Sequence, residues 1–247
     1  MKVIGVYNIK GGVGKTATTV NIAYLAAEAG NRTLVWDLDP QAAATYYFRI
    51  RPKVKGGGKA LVKGKRALEG LVKGTDFENL DLLPADFSFR NLDLALEDVR
   101  QPTRRLSRLL KSLAEDYDYG FLDCPPGISL VSENIFRASD VILVPMIPTT
   151  LSARTLDQLL RFLEEHGRLG ALRVLPLFTM VDRRKRLHLD IIERLAEDYP
   201  DLLATHIPDA SDVERMGIHR QPLPAYAPSG IAAGAYRALW DELERKI

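Results

Sequence analysis

The sequence predicts a doubly wound α/β domain, with a mostly parallel sheet and helices on both of its faces. Three observations predict it. Short apolar runs alternate with segments whose leucines and alanines recur at helical spacing. A glycine-rich loop, Lys10–Thr16 (KGGVGKT), stands between the first of those runs and the first helical segment. Two later runs end in aspartate, at Asp37-Leu38-Asp39 and at Asp123. Strands separated by helices pair in parallel, and a parallel sheet has to be covered on both sides.

Each element follows in order. Lys2–Asn8 (KVIGVYN) is expected as a buried strand, and Ala17–Ala29 as a helix closed by Gly30-Asn31. Thr33–Trp36 (TLVW) is the second strand. After a short helix, Arg49–Gly74 is centred on Gly56-Gly57-Gly58 and reads as a mobile insertion with a helix inside Lys59–Val72. Leu80–Leu83 is a further strand, and Leu106, Leu109, Leu110 and Leu113 mark a helix. Tyr119–Leu122 is a strand leading into Asp123-Cys124-Pro125-Pro126-Gly127, and after another helix comes the strand Val141–Val144. Ser152 is expected to cap a helix with Leu156, Leu159, Leu160 and Leu163 on its apolar face. Strand Val174–Phe178, helix Leu187–Tyr199, strand Ala204–Ile207 and helix Ile231–Arg245 complete the alternation. No internal repeat or Pro/Ser-rich linker divides the chain, so residues 1–247 are expected to form one domain with a basic insertion at about 49–74.

Composition narrows the class. The formal charge is only +2, but Arg49–Lys73 holds nine basic residues against Glu69, a net +8 that leaves the remainder at −6. The only cysteine is Cys124, which excludes an intrachain disulfide and points to a reducing compartment. Met1-Lys2 runs directly into a strand, unlike a signal peptide, and no apolar run is long enough to span a bilayer. A cytoplasmic location is expected.

The loop carries the chemistry. Glycines let backbone N–H groups close around phosphate oxygens, and the helix that follows adds a favourable dipole. Gly11, Gly12, Val13 and Gly14, with Lys15, Thr16 and Ala17 at the helix start, are the expected phosphate contacts. Lys15 is placed to reach the β- and γ-phosphates, and the Thr16 hydroxyl to ligate Mg²⁺. The usual spacing puts a glycine where Ile9 stands, and here a second lysine, Lys10, leads the loop. Ligands of parallel sheets bind at the carboxyl ends of strands, where Asp37, Asp39 and Asp123 fall. Singly, each aspartate suits a turn; together they suit a magnesium–nucleotide site.

Lys10–Thr16, Asp37-Leu38-Asp39-Pro40-Gln41 and Asp123-Cys124-Pro125-Pro126 resemble the three nucleotide motifs of the ParA/MinD ATPases, and the likeness extends over essentially the whole chain. The resemblance implies a P-loop fold, ATP and Mg²⁺ as cofactors, and an ATP-sandwich homodimer in which Lys10 reaches the partner's nucleotide as an arginine finger does. It implies that Asp39 orients the attacking water, that Asp37 supports the magnesium shell, and that Asp123 holds Mg²⁺ through water. It places adenine contacts near Met180, Asp182, Pro208 and Asp209, with one departure: Thr179 stands where the family commonly has Asn before the Met.

Residue content sorts the branches. A bridging iron–sulfur cluster needs two thiolates per subunit, and one Cys cannot supply them. An arsenite-type pump is disfavoured by the lack of thiols and of a duplicated half, and cobyrinic acid amidation by the lack of length for a glutaminase domain. A MinD-like membrane reader needs a basic amphipathic C-terminal helix, whereas Tyr236–Ile247 carries Asp241, Glu242 and Glu244, and its Leu239, Trp240 and Leu243 suit a core. Non-specific DNA binding needs Lys/Arg directed at phosphates. Arg183-Arg184-Lys185-Arg186, with Arg215 and Arg220, is one candidate surface and Arg49–Lys73 the other; a solvated charge run is the alternative for both. His166, His188, His206 and His219 have no metal-ligand spacing. The expected function is a nucleoid-associated partition or positioning ATPase, released from double-stranded DNA when a ParB-like or cargo-adaptor partner stimulates hydrolysis. A MinD-like regulator and a metabolic P-loop ligase are the alternatives.

Overall fold

The computed structural model describes residues 1–64, 68–167 and 172–247, so Lys65 and Arg66 of the basic run lie outside the described residues. The strands are β1 (Lys2–Val6), β2 (Thr33–Asp37), β3 (Lys73–Gly74), β4 (Leu80–Leu83), β5 (Tyr119–Asp123), β6 (Val141–Met146), β7 (Arg173–Val181) and β8 (His206–Pro208). They form one sheet in the order β3-β4-β2-β5-β1-β6-β7-β8, parallel throughout except for the antiparallel edge pair β3–β4. Strand β1 is central, between β5 and β6, so its carboxyl end opens where the strand order reverses.

Helices α1 (Lys15–Glu28), α2 (Ala43–Tyr47), α3 (Gly57–Val62), α4 (Leu92–Glu97), α5 (Arg105–Leu110) and α6 (Leu130–Ala138) belong to the first half. The second half has α7 (Thr150–Glu165), α8 (Arg186–Asp198), α9 (Ser211–Glu214), α10 (Met216–His219), α11 (Leu223–Tyr226) and α12 (Ile231–Lys246). Alternate strand residues feed opposite faces. Val3, Leu34, Trp36 and Leu122 join one core with residues of α4 to α8, and Ile4, Val35, Phe121 and Leu143 join the other with residues of α1 and α12. The doubly wound sheet read from the sequence is the fold.

Two expectations change. Thr149, in extended backbone, is the N-cap of α7, and Ser152 lies buried in the first turn with its hydroxyl 3.0 Å from that of Thr149. The described residues of the 49–74 segment are packed rather than free. Val54, Leu61, Val62, Leu68 and Leu71 are buried in the first core, while Arg51, Lys53, Lys55, Lys59, Lys63 and Lys73 face solvent. Asp86 accepts from the Val54 N–H at 2.7 Å and Ser88 from the Gly58 N–H at 2.8 Å, which fasten the segment to the turn before α4.

Helix α12 packs on α1 with Leu239, Trp240 and Leu243 buried, as their spacing implied. Glu242 on the same helix accepts from the Ala204 and Thr205 N–H groups at 2.8 and 2.9 Å, fixing the entry to β8. Burial pushes its carboxyl up, but these hydrogen bonds outweigh it, and the group titrates below its ordinary value of 4.5. A depressed carboxylate stabilises the fold above the unfolded-state value and loses that contribution as pH falls through the folded one. Glu242→Gln is therefore expected to cost about 1–2 kcal/mol at neutral pH. The gap between the two unfolding curves should close in acid. A constant gap across a denaturation series from neutral to acid pH rules the carboxylate out as its source.

Candidate nucleotide site

The loop between β1 and α1 is held by hydrogen bonds to the neighbouring strand ends. Asn8 is buried, donates to the Pro145 carbonyl at 2.8 Å and accepts from the Lys10 N–H at 2.8 Å, so it ties the loop's entry to the end of β6. Tyr7 Oη donates to the Gly127 carbonyl at 3.0 Å, and the Gly127 N–H donates to Ile9, joining the loop to the turn after β5. Gly12 and Gly14 take φ of 71° and 82°, a region that disfavours side chains. Gly14 in that conformation is the N-cap that starts α1 at Lys15, two residues earlier than the pattern suggested. The Lys15 ammonium donates to the Lys10 carbonyl at 2.9 Å across the mouth of the loop. The ammonium of Lys10 itself makes no hydrogen bond or ion pair among the described residues.

The carboxylates meet through sheet register. Asp37 of β2 is paired with Asp123 of β5, and Asp123 with Val6 of β1 just before the loop. Both aspartates are fully buried. Thr45, in the middle of α2, donates to Asp37 Oδ2 from its N–H at 2.8 Å and its hydroxyl at 2.7 Å, and the Asp39 N–H donates to Asp37 Oδ1 at 3.1 Å. Burial pushes Asp37 up to about 6 even so. Burial and the neighbouring Asp37 push Asp123 well up, and its Oδ2 has no hydrogen-bond partner among the described residues. Lys15 is lowered by burial, against the pull of Asp123, Cys124 and Asp39.

Two buried carboxylates, one orphaned oxygen and one buried lysine leave room for another cation, and the residues fit a magnesium–nucleotide complex. Among the described residues no set of three His, Cys, Asp or Glu side chains could hold a metal ion. A cation here takes its remaining ligands from phosphate oxygens and water. Asp39 is half-buried; one carboxylate oxygen accepts from the Gln41 N–H at 2.9 Å, an Asx-turn that leaves the other without a partner among the described residues. Cys124 is buried and its thiol is pushed up by burial, which suits packing rather than redox chemistry.

The expected adenine residues gather at the ends of β7 and β8, where Val181 is in register with Pro208 and accepts from the Asp209 N–H at 3.1 Å. Met180 has φ of 53° at a break in that pairing. Asp182 is held bidentately by Arg184, at 2.9 and 3.0 Å, and this pairing keeps its carboxyl down at about 2. Thr179, the departure from the family pattern, donates to the Val13 carbonyl at 2.9 Å and so braces the phosphate loop from β7. Asn8, Thr19 and the bracing contact of Thr179 escaped the sequence reading. Thr19 donates to the Lys15 carbonyl at 3.0 Å and lies 3.4 Å from Asp123.

The basic candidates divide. Arg183, Lys185 and Arg215 are exposed and lack carboxylate partners among the described residues. Arg184 is engaged by Asp182, Arg186 by Asp190 at 2.8 Å, and Arg220 stacks 4.4 Å over Tyr46 while donating to its carbonyl. In the other segment, Arg49 pairs with Asp76 and Lys63 with Asp98.

Comparison with known proteins agrees with this geometry. The profile of a family described as an AAA domain matches residues 1–169. The sporulation initiation inhibitor protein Soj of Bacillus subtilis is 31% identical over 247 residues, covering 98% of each chain. A ParA family protein of Chlamydia muridarum is 28% identical over 248 residues, covering 98% of this chain and 97% of its own. The structure of cobyrinic acid a,c-diamide synthase from Mycobacterium smegmatis with bound ADP and magnesium superposes with a TM-score of 0.84 at 28% identity. The match covers 99% of this chain and 94% of that one, so a protein of that name fits nearly the same length, and chain length no longer counts against amidation. The matched profile, the end-to-end likeness to Soj and the loop led by Lys10 agree: the chain belongs to the ParA/MinD family of P-loop ATPases.

Proposed function

We propose that this chain is a partition or positioning ATPase that uses ATP and Mg²⁺. ATP closes a homodimer, the dimer holds double-stranded DNA without sequence preference, and a ParB-like or cargo-adaptor partner stimulates hydrolysis and release. One observation carries the reading: Lys10 is pinned by its main chain at the mouth of the phosphate loop while its ammonium has no partner among the described residues. A cation so placed is free to reach a nucleotide held by a second copy. In each copy Lys15 contacts the β- and γ-phosphates, Asp39 orients the attacking water, and Thr16, Asp37 and Asp123 organise the metal. Bound Mg²⁺ neutralises charge that builds on the transferring phosphate. The relatives named Soj and ParA support the family of tasks. Arg183, Lys185 and Arg215 supply unengaged cations for DNA phosphates. Among the described residues no helix is long and apolar enough to cross a membrane, and Leu239, Trp240 and Leu243 of α12 are spent in the core. The unengaged cations favour a nucleoid-associated, cytoplasmic site of action over the MinD-like membrane reading.

The test is co-sedimentation with DNA, with and without ATP, across a salt series. ATP-dependent binding that weakens steeply with salt is expected. Binding that ignores ATP or salt refutes the DNA reading. The likeness to the Mycobacterium smegmatis synthase favours a second reading, a metabolic ligase that activates a carboxylate with ATP. Hydrolysis that rises with the square of protein concentration at high dilution separates the dimeric motor from such a ligase.

A further inference from the structure

The stretch 99–114 contains Arg100, Arg104, Arg105, Arg108 and Lys111 and no acidic residue. Its leucines, Leu106, Leu110 and Leu113, are buried in the core, while Arg104, Arg108 and Lys111 recur at helical spacing on the outer side and are exposed. Like charges three and four residues apart repel, so this row weakens α5 unless an anion neutralises it. Arg137, in the last turn of α6, completes the group. Arg104, Arg108, Lys111 and Arg137, with Gln101 and Ser107, line a cleft of about 360 Å³ that no carboxylate among the described residues enters. None of the four cations forms an ion pair among the described residues, although Glu133 lies one turn before Arg137; Arg108 donates only to Gln101.

The cleft is rigidly built. Asn134 of α6 is fully buried and uses its whole amide. Its oxygen accepts from the Arg105 and Leu106 N–H groups at 2.8 and 3.1 Å, and its nitrogen donates to the Pro102 and Leu130 carbonyls at 2.7 and 2.9 Å. That clamp fixes the start of α5 against α6.

The lining selects the ligand. It has no apolar or aromatic side chain, so it offers a protein partner no anchor and an unpaired base nothing to stack on. Three of its four cations are arginines, whose forked donors match phosphate oxygens. Along α5 the cations rise by about 6 and 4.5 Å, a row suited to consecutive charges of an extended polyanion. We propose that Arg104, Arg108, Lys111 and Arg137 form a phosphate-binding cleft that takes the phosphodiester backbone of duplex DNA, a contact separate from Arg183 and Lys185. This rests on the DNA reading above for its partner and on the cleft alone for its place.

The experiment compares the full chain with the triple variant Arg104→Ala, Arg108→Ala, Arg137→Ala and with the triple Arg→Lys variant. Fluorescence anisotropy follows binding of a short labelled duplex of arbitrary sequence, with Mg²⁺ and a non-hydrolysable ATP analogue and without nucleotide, across a salt series. Losing three phosphate contacts should flatten the log–log salt slope by about 2.7 and lower affinity at least tenfold at about 50 mM salt, whatever the sequence. The Arg→Lys variant should keep most of the slope, and basal ATP turnover without DNA should not change in either. If the wild type binds DNA only with nucleotide and the alanine variant matches it in slope and affinity, the cleft proposal is wrong and the partition reading stands. DNA binding that is indifferent to nucleotide yet lost in the alanine variant supports the cleft and overturns the partition reading. No DNA binding by the wild type overturns both. A last arm titrates tripolyphosphate into protein whose P-loop is filled with the analogue; loss of that binding in the alanine variant with unchanged DNA curves makes the ligand a soluble oligophosphate and overturns the proposal.

Discussion

Lys10→Ala is expected to lower ATP turnover by about a thousandfold while nucleotide binding persists, the scale on which an arginine finger acts. The expectation of intact binding comes from which atoms hold the loop. Lys10 accepts the Lys15 ammonium with its carbonyl and donates its N–H to Asn8, and both contacts are main-chain and survive the substitution. Only the unpartnered ammonium is lost. Titration with a fluorescent ATP analogue and single-turnover hydrolysis measure the two halves. Turnover within about tenfold of the wild type, a loss of under about 1.4 kcal/mol of barrier, removes Lys10 from the chemistry. Tight coupling of lost binding to lost turnover points instead to a damaged loop.

Asp39→Ala is expected to stop hydrolysis at a different stage, with ATP bound and the dimer closed. Asp39 lends one carboxylate oxygen to the N–H of the exposed Gln41, which donates to water in its place, so the α2 turn tolerates the change. What disappears is an oxygen with no partner among the described residues, on a carboxylate whose charge acts on Asp37 and Asp123. Size-exclusion chromatography with ATP should show a dimer that outlasts the wild type's, and phosphate release should fall by at least about a hundredfold, the scale of lost general-base positioning. A monomer under those conditions, or near-normal release, refutes the assigned role. Mixing the two variants separates action within a subunit from action across the dimer. If Lys10 serves the partner's nucleotide and Asp39 its own, a mixed dimer keeps one complete site, and equal mixing restores on the order of a quarter of wild-type turnover. If both act on the same subunit's nucleotide, mixing restores nothing.

How much of this was legible depended on the distance over which each residue acts. The phosphate loop and the aspartates at the strand ends are defined by neighbours in sequence, so spacing sufficed. Asn8, Thr179 and Asn134 are polar residues whose meaning lies in partners 137, 166 and about 30 positions away, and no local pattern distinguishes them from ordinary polar residues. The 49–74 segment misled for the opposite reason. Its lysines and glycines dominate composition, and Val54, Leu61, Val62, Leu68 and Leu71 follow no single period, so their shared burial shows only when the chain is folded. The row Arg104, Arg108, Lys111 was visible in principle, but its leucines drew the reading to the buried side of the helix, and Arg137 joins it only through α6.

The two margins of the sheet have a consequence for behaviour in crowded conditions. One margin is the two-residue strand Lys73–Gly74, exposed and charged; the other is His206–Pro208, three residues long and closed by an imino acid that cannot donate to a new ladder. Neither offers a template on which further chains could stack by main-chain pairing. Copies concentrated at one place in a cell therefore stay separable, and any larger assembly has to be put together from side-chain faces, which a change of ligand can dissolve. Reversible gathering and dispersal is thus a property of the fold's borders as much as of its chemistry.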